Sequence, residues 1–154
     1  MAMPKLLSPD SYGSRRWYYD SCTLDRMEAY SDILNIQQHS VICMTSHLGL
    51  GEAHGTCFEK GNEKLDAFLE LQVKIKPYLR VVGNDDIEKI FDELSVELPR
   101  LTFTDKVHLA TAIKYKCEVF KTTDGDLTGL PKKKVLEIAQ KHGCPDFAIS
   151  LLKE

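Results

Sequence analysis

Apolar and polar positions follow two recurring patterns along this chain. Short, almost wholly apolar runs are typical of strands buried on both faces of a parallel sheet. Longer stretches carry apolar residues at every third or fourth position, which is the period of an amphipathic helix. The first pattern predicts strands over residues 16–22, 40–46, 78–82 and 118–124. The second predicts helices over residues 24–38, 47–60, 62–75, 84–98 and 104–116.

Polar residues at the ends of the helical stretches predict where two of them begin. Ser46 directly follows the second apolar run and is a suitable N-cap, because a serine hydroxyl accepts a hydrogen bond from an exposed backbone N–H. Asn84 or Asp85 is expected to cap the fourth helix in the same way. Three glycines fall inside the second helix and weaken its prediction.

The C-terminal part of the chain allows two interpretations. After a run of lysines, residues 135–143 fit a helix closed by Gly143, while residues 134–138 alternate well enough for a strand. Residues 145–152 are expected to complete the core. Because the rest of the chain alternates short apolar strands with helices, we expect βαβ units and a three-layer α/β/α sandwich around a mainly parallel central sheet.

Composition limits the class of protein. A chain of 154 residues with 43% hydrophobic and 28% charged residues is expected to form one globular domain over residues 1–154, with residues 1–15 as a mobile N-terminal arm. Its net charge of -3 excludes a general attraction to nucleic acids or anionic membranes, and no apolar run approaches the length of a membrane span. The five scattered cysteines indicate a reducing, cytoplasmic location.

Acidic residues occur at the positions where such a fold would bring them together. Asp20 ends the first strand, and Glu52 lies in the first turns of the helix after the second strand. Asp105 begins the helix before the fourth strand, which Asp124 and Asp126 follow. Strand C-termini and helix N-termini share one edge of a parallel sheet, so these carboxylates converge there.

Converging carboxylates repel one another unless protons or cations neutralise them. Oxygen ligands without cysteine or histidine favour Mg²⁺ or Mn²⁺, which leave coordination positions open for phosphate oxygens. This arrangement indicates metal-assisted hydrolysis of phosphodiester bonds. Zinc would need a second pair of ligands beside His47 or His54 and Cys57, and the sequence does not offer one.

Four segments carry a resemblance to a known family. The stretches "YYDS", "TSHLGLGE", "FTDKVHLATAI" and "FKTTDGDL" resemble, in order, the four acidic motifs of the PIN-domain nucleases, including the VapC-like toxins, over residues 16–130. The resemblance implies a metal-dependent endoribonuclease that acts on single-stranded or structured RNA. The toxin of a toxin–antitoxin pair is one role that the resemblance allows. It implies that the metal is bound, and catalysis carried out, by Asp20, Glu52, Asp105 and Asp124. Asp126 would be an accessory metal-binding carboxylate, and the hydroxyls of Ser21, Thr122 and Thr123 would support these residues.

Partners follow from the same interpretation. RNA is the expected substrate, an antitoxin protein and a second copy of the chain are candidate partners, and no membrane is expected. Basic residues are candidates for contacts with RNA phosphates. They are Lys121 and a cluster expected on an exposed loop, Lys132, Lys133 and Lys134.

Simpler readings of these residues remain open. Asp20 could be a strand-end turn residue, Asp105 a charge favoured by the helix dipole, and Asp124 with Asp126 part of a turn. His47, His54 and His108 are expected at the surface or at the edge of the core. A PIN-fold module without catalysis, acting as a binding scaffold, is the alternative function. An aspartyl-phosphate enzyme ranks last, because "DSCTLD" lacks a second aspartate two residues after Asp20.

Overall fold

Five parallel strands form the centre of the protein. The computed structural model describes residues 15–37 and 39–152; residues 1–14 of the expected N-terminal arm lie outside this part, and Arg15 already belongs to the first strand. The sheet has the strand order β3-β2-β1-β4-β5, and every neighbouring pair is parallel. The strands are β1 Arg15–Tyr19, β2 Val41–Ser46, β3 Leu79–Val82, β4 Val119–Thr122 and β5 Ala148–Leu151.

Helices connect the strands and cover both faces of the sheet. Seven α-helices are formed by the described residues: α1 Met27–Gln37, α2 His47–Glu59, α3 Asn62–Ile75, α4 Glu88–Glu97, α5 Phe103–Lys114, α6 Gly125–Thr128 and α7 Lys132–Lys141. Two 3-10 turns, Ser21–Thr23 and Lys76–Tyr78, follow β1 and α3. None of the described helices is both long and apolar enough to cross a membrane.

The apolar residues form two cores, one on each side of the sheet. One core packs Tyr18 and Phe120 of the strands against α4, α5 and α7. The other packs Tyr19 and Cys43 against α1, α2 and α3. Tyr18 and Tyr19 are consecutive, so they point to opposite faces, as successive residues of a strand must. The α/β/α sandwich expected from the alternation of strands and helices is therefore confirmed, and the sheet is wholly parallel.

Several predicted boundaries differ from the structure. The fourth helix begins at Glu88 behind Ile87, without a side-chain cap, so the expected cap at Asn84 or Asp85 is wrong. Asn84 instead accepts a hydrogen bond from the backbone N–H of Leu48 (2.9 Å) and donates one to the hydroxyl of Thr111 (2.9 Å). Its side chain thus ties the end of β3 to α2 and α5, and it is not available to the helix that follows.

The two open interpretations of the C-terminal part are resolved in favour of a helix. Helix α7 starts at Lys132, three residues before the predicted helix, and the chain turns at Gly143 with a φ of 89°, which glycine adopts without steric cost. The following residues form β5, which pairs with β4 in the register Val119↔Ala148. The lysine run is therefore the first turn of a helix and not a loop, which corrects that expectation.

Gly49 is required by close packing at the start of α2. The predicted cap is present, since the Ser46 hydroxyl accepts a hydrogen bond from the Gly49 N–H (3.1 Å). A Cβ at Gly49 would lie 2.5 Å from the Thr45 hydroxyl and 3.5 Å from Cε1 of His108. Thr45 cannot move freely, because its buried hydroxyl donates to the carbonyl of Tyr19 (2.8 Å). This glycine lets the helix approach the sheet closely.

Replacing Gly49 by Ala should destabilise the fold by about 1–3 kcal/mol, the usual cost of an added methyl group in a packed interior. Gly55 of the same helix is a matched control, because a Cβ there meets nothing within 4 Å. Gly55→Ala should stabilise the protein by up to about 1 kcal/mol through helix propensity. Urea unfolding of both variants measures the difference. Equal effects of the two substitutions would show that Gly49 is not a packing position.

Candidate functional site

Asp20 is held rigidly at the carboxyl end of β1. It is 4% exposed, and its Oδ1 accepts a hydrogen bond from the backbone N–H of Ser21 (2.8 Å). Its Oδ2 accepts from the hydroxyl of Thr122 (3.0 Å) and from the thiol of Cys22 (3.4 Å). A buried carboxylate costs free energy unless hydrogen bonds compensate for the water it loses. These three donors supply that compensation and fix the direction of the carboxylate.

The end of β4 continues this network. The Thr122 hydroxyl, which donates to Asp20, also accepts a hydrogen bond from the backbone N–H of Asp124 (3.0 Å). Asp124 in turn caps the short helix α6 by accepting from the N–H of Asp126 (2.9 Å). Asp126 is exposed. At the adjacent ends of β1 and β4, one threonine therefore links the carboxylate of Asp20 to the backbone of Asp124.

Asp105 approaches the same edge from α5. It lies in the first turn of that helix, where its backbone N–H donates to the N-cap hydroxyl of Thr102 (3.2 Å). Burial raises the pKa of Asp105 above its ordinary value, and the negative charges of Asp20 and Asp124 raise it further. A hydrogen bond with Thr102 and the nearby His108 act in the opposite direction on this pKa. Asp105 is therefore near enough to Asp20 and Asp124 to be affected by their charges.

Glu52 is turned towards a histidine. Its Oε1 contacts Nε2 of His108, which is also 3.7 Å from Oδ1 of Asp20. The other ring nitrogen of His108, Nδ1, lies 2.7 Å from the hydroxyl of Tyr18, and that hydroxyl lies 2.7 Å from the hydroxyl of Ser46. Burial is the main reason that the pKa of Tyr18 is raised far above its ordinary value, so its hydroxyl stays protonated.

His108 is the residue that sequence reasoning missed. It is 1% exposed and in contact with two of the candidate carboxylates, whereas we expected it at the surface or the edge of the core. One signal could have found it. His108 follows Asp105 by three positions, and residues three apart share one face of a helix. The apolar neighbours on both sides, Val107 and Leu109, were stronger evidence that His108 is buried than its polar side chain was evidence that it is exposed.

The expected supporting residues occupy varied positions. Ser21 contacts Asp20 through its backbone N–H, and the backbone N–H of Thr123 donates to the sulfur of Cys22 (3.3 Å). Lys121 is turned away towards the other face: its Nζ lies 4.8 Å from the centre of the Trp17 ring and 4.0 Å from Asp32. In this conformation Lys121 is not placed with the acidic residues. The three lysines at 132–134 are exposed.

A cleft of about 740 Å³ opens beside the aspartates. Asp105, Asp124 and Asp126 line one part of it, and Arg100 and Lys134 are among the charged residues elsewhere on its wall. Its apolar lining comes from leucines and prolines: Leu98, Pro99, Leu101, Leu127, Leu130 and Pro131. A recess of this size, with a few charged groups and apolar walls, is typical of a ligand-binding site.

The donor set suits a hard divalent cation, although the ligands are not assembled in this conformation. Carboxylate oxygens in mutual repulsion are the groups that Mg²⁺ or Mn²⁺ would neutralise. Over residues 15–37 and 39–152, however, no three His, Cys, Asp or Glu side chains already stand together in positions to hold an ion. Asp105 and Asp124 line the same cleft and Thr122 ties Asp20 to Asp124, so oxygen donors from three elements lie near one another.

Comparisons with known proteins place the fold. No family model matches the chain, and no curated protein matches its sequence. VapBC2 of Rickettsia felis, solved with a DNA fragment from its promoter, has a chain that matches with a TM-score of 0.63 at 12% identity, over 90% of this chain and 99% of that one. PAE2754 of Pyrobaculum aerophilum matches with a TM-score of 0.59 at 16% identity, over 84% and 99%.

A third solved structure is the toxin VapC20 of Mycobacterium tuberculosis, described as cleaving the sarcin–ricin loop. It matches with a TM-score of 0.54 at 18% identity, over 73% of this chain and 93% of that one. At such identities the likeness is one of fold. The resemblance drawn from the four acidic motifs is confirmed at that level: the chain has the PIN-like α/β/α fold of the VapC toxins.

Proposed function

We propose that this protein is a Mg²⁺- or Mn²⁺-dependent endoribonuclease. The observation that carries the proposal is geometric: Thr122 links the carboxylate of Asp20 to the backbone of Asp124, and Asp124 lines one cleft together with Asp105. Such an arrangement costs free energy without a cation. Clustered charges of this kind are frequent at functional sites, and cleavage of phosphodiester bonds is the function that suits them.

Each candidate residue has a role in this proposal. Asp20, Asp105 and Asp124 would hold the ion, with Glu52 completing the set and Asp126 as the accessory carboxylate. A bound ion supplies an activated water and stabilises the leaving oxygen. Thr122 keeps the carboxylate of Asp20 directed by donating to it and links it to the backbone of Asp124.

The cleft favours an unpaired strand as the substrate. Its leucine and proline walls can receive a base that is not stacked in a duplex, and its charged walls can receive the sugar-phosphate backbone. Lys134 lines the cleft and belongs to an exposed basic first turn of α7, which suits contacts with phosphates. We therefore propose single-stranded RNA, or the unpaired parts of structured RNA, as the substrate.

The biological role proposed here is that of a toxin in a toxin–antitoxin pair. Two of the matching structures are a VapBC complex and a VapC toxin, which supports this role. The proposal includes a cytoplasmic location, an antitoxin protein that restrains cleavage, and self-association into a homodimer. Finding a small antitoxin-like reading frame beside the gene would support the role, and its absence would favour a free-standing nuclease.

A binding module without catalysis is the second candidate. One observation favours it: no three-ligand group is assembled among the described residues. The presence of all four acidic residues favours the nuclease. The two candidates differ in the outcome of the cleavage experiment below.

The purified protein should cleave single-stranded RNA when Mg²⁺ or Mn²⁺ is added and should lose this activity in EDTA, because hydrolysis depends on the activated water of the ion. Denaturing gel electrophoresis of a mixed RNA pool measures the products. Cleavage that continues unchanged in EDTA would contradict the metal dependence. RNA binding without cleavage at any metal concentration would instead support the binding module.

Replacing Asp105 by Asn should have opposite effects on stability and activity. The folded state binds the Asp105 proton more tightly than the unfolded chain does, so its charge destabilises the fold at neutral pH. In EDTA at pH 7 the variant should be more stable by a fraction of a kcal/mol, up to about 1 kcal/mol after allowing for solvent screening. This gain should disappear below the ordinary aspartate value of 3.8, where both states are protonated.

The same variant should lose nearly all metal-dependent cleavage. Asp66 provides the control, because it is exposed on α3 and its substitution by Asn should change neither property. Differential scanning fluorimetry across the pH range measures the stabilities. A lower melting temperature for Asp105→Asn at pH 7 would show that the carboxylate supports the fold more than it repels its neighbours.

Replacing Lys132, Lys133 and Lys134 by Gln should weaken RNA binding and make it less dependent on salt. Each phosphate contact releases counterions, so fewer contacts give a smaller slope of affinity against salt concentration. Fluorescence anisotropy with a labelled oligonucleotide measures the slope. Lys74, Lys76 and Lys64, which are exposed on and beside α3, form a matched control triple. An unchanged slope would remove the 132–134 cluster from the binding surface.

A further inference from the structure

A series of hydrogen bonds connects two positions of helix α2, Gly49 and Glu52, by way of residues in β1 and α5. Ser46 accepts from the N–H of Gly49 at the start of α2, and its hydroxyl contacts that of Tyr18 in β1. Tyr18 contacts Nδ1 of His108 in α5, and Nε2 of His108 contacts Glu52, which lies one turn further along α2. The side chains of Tyr18, Ser46 and His108 are at most 2% exposed, so water does not compete for these bonds.

Only one arrangement of protons satisfies every member of this chain. Ser46 donates to Tyr18, Tyr18 donates to Nδ1 of His108, and Nε2–H of His108 donates to the carboxylate of Glu52. Each hydroxyl or ring proton then has one acceptor, and the Ser46 oxygen still receives the Gly49 N–H. His108 is neutral in this arrangement, with its proton on Nε2 and a lone pair on Nδ1.

The other proton positions leave a group unsatisfied. With a proton on Nδ1, Tyr18 must accept from His108 and donate to Ser46, and the buried hydroxyl proton of Ser46 then has no acceptor among the described residues. If Nε2 lacks its proton as well, its lone pair faces a carboxylate oxygen of Glu52. An unsatisfied buried polar group costs about 1–3 kcal/mol, which is enough to select the Nε2–H form.

We propose that His108 is a positioning residue that directs Glu52 towards the candidate metal site through an Nε2–H hydrogen bond. The inference rests on the proposed function, in which Glu52 is a metal ligand. Glu52 needs such a partner because a long charged side chain otherwise samples several rotamers, and ordering them on metal binding costs free energy. A carboxylate ligand held by an outer hydrogen-bond donor keeps its second oxygen free for the ion.

Two features support positioning over a purely structural role. His108 stands beside Asp20 as well as Glu52, so its ring lies between two candidate ligands that come from different elements. The side chain of His108 is 2% exposed and that of Glu52 is 31% exposed, so the buried ring is the fixed partner and the carboxylate can still reach a ligand.

The first test needs no substitution. Long-range ¹H–¹⁵N NMR of the imidazole nitrogens distinguishes a ring protonated at Nε2 from one protonated at Nδ1. For the metal-free wild-type protein at pH 7 we expect the proton of His108 on Nε2. A proton on Nδ1 in the wild type would overturn the proposal.

The second test compares two replacements that each keep one half of the imidazole. Glutamine places an amide donor near the position of Nε2, whereas asparagine reaches only the position of Nδ1. On EDTA-stripped protein titrated calorimetrically with Mn²⁺, His108→Asn should weaken binding by about 10- to 100-fold, as expected for loss of an outer-shell partner. His108→Gln should stay within a few-fold of the wild type.

His142 offers a matched control outside the site. Its Nε2 lies 2.8 Å from Oε2 of Glu93, so it forms a similar histidine–glutamate pair between α7 and α4. His142→Asn should leave Mn²⁺ affinity unchanged. Equal weakening by the Gln and Asn variants of His108 would show that the residue only supports packing, and would overturn the proposal.

The two tests also separate this inference from the proposed function. A wild-type protein that binds no Mn²⁺ would contradict the metal site itself and with it the direction of Glu52 towards an ion. The NMR result would then still decide whether His108 holds Glu52. Mn²⁺ binding with normal RNA cleavage but no difference between the two His108 variants would overturn the inference and leave the nuclease proposal in place.

Discussion

The reversal of strand order between β1 and β4 is the constraint on which the rest of the structure depends. The chain adds β2 and β3 on one side of β1 and places β4 and β5 on the other. Helices leave the two sides on opposite faces, so a crevice forms beyond the ends of the two central strands. The register Tyr19↔Lys121 sets those ends level. The ends of β1 and β4 therefore bring Asp20 and Asp124 together through Thr122, and Asp124 lines one cleft with Asp105 from the first turn of α5.

Fixed hydrogen-bond donors orient the acidic side chains of this crevice. Asp20 takes hydrogen bonds from a backbone N–H, a hydroxyl and a thiol, and Asp124 caps a helical turn. These groups keep the carboxylates oriented, while burial chiefly, and the charges of Asp20 and Asp124 in addition, raise the pKa of Asp105. The crevice therefore combines oriented carboxylates with one acid whose pKa is perturbed, a combination that is frequent at functional sites.

Sequence reasoning succeeded where local pattern and tertiary packing agree. The wholly buried β2 follows from its unbroken apolar run, and the Ser46 cap from its place at the junction of strand and helix. It failed where a side chain serves a distant element. Asn84 was expected to cap the next helix, but it bonds to residues of α2 and α5. His108 was missed because its partners are far away along the chain.

The directions of the side chains in the candidate site could not be predicted from local sequence signals for the same reason. Periodicity places Asp105 and Glu52 on their helices, but the direction in which Glu52 points depends on a histidine from another helix and a tyrosine from a strand. Helix α7 illustrates a different difficulty. Its lysine-rich start lacks a side-chain cap, so no strong sequence signal marks the residue at which the helix begins.

The long separation along the chain between Asp20 and Thr122 has a consequence for synthesis. The two residues are 102 positions apart, and their hydrogen bond forms only when β4 pairs with β1. Contacts this distant in sequence form late, because closing the loop costs entropy before the contacts repay it. A nascent chain in which β4 is still inside the ribosome can already contain β1, β2 and α2, but it has an incomplete crevice. The acidic site is completed only when nearly the whole domain has emerged.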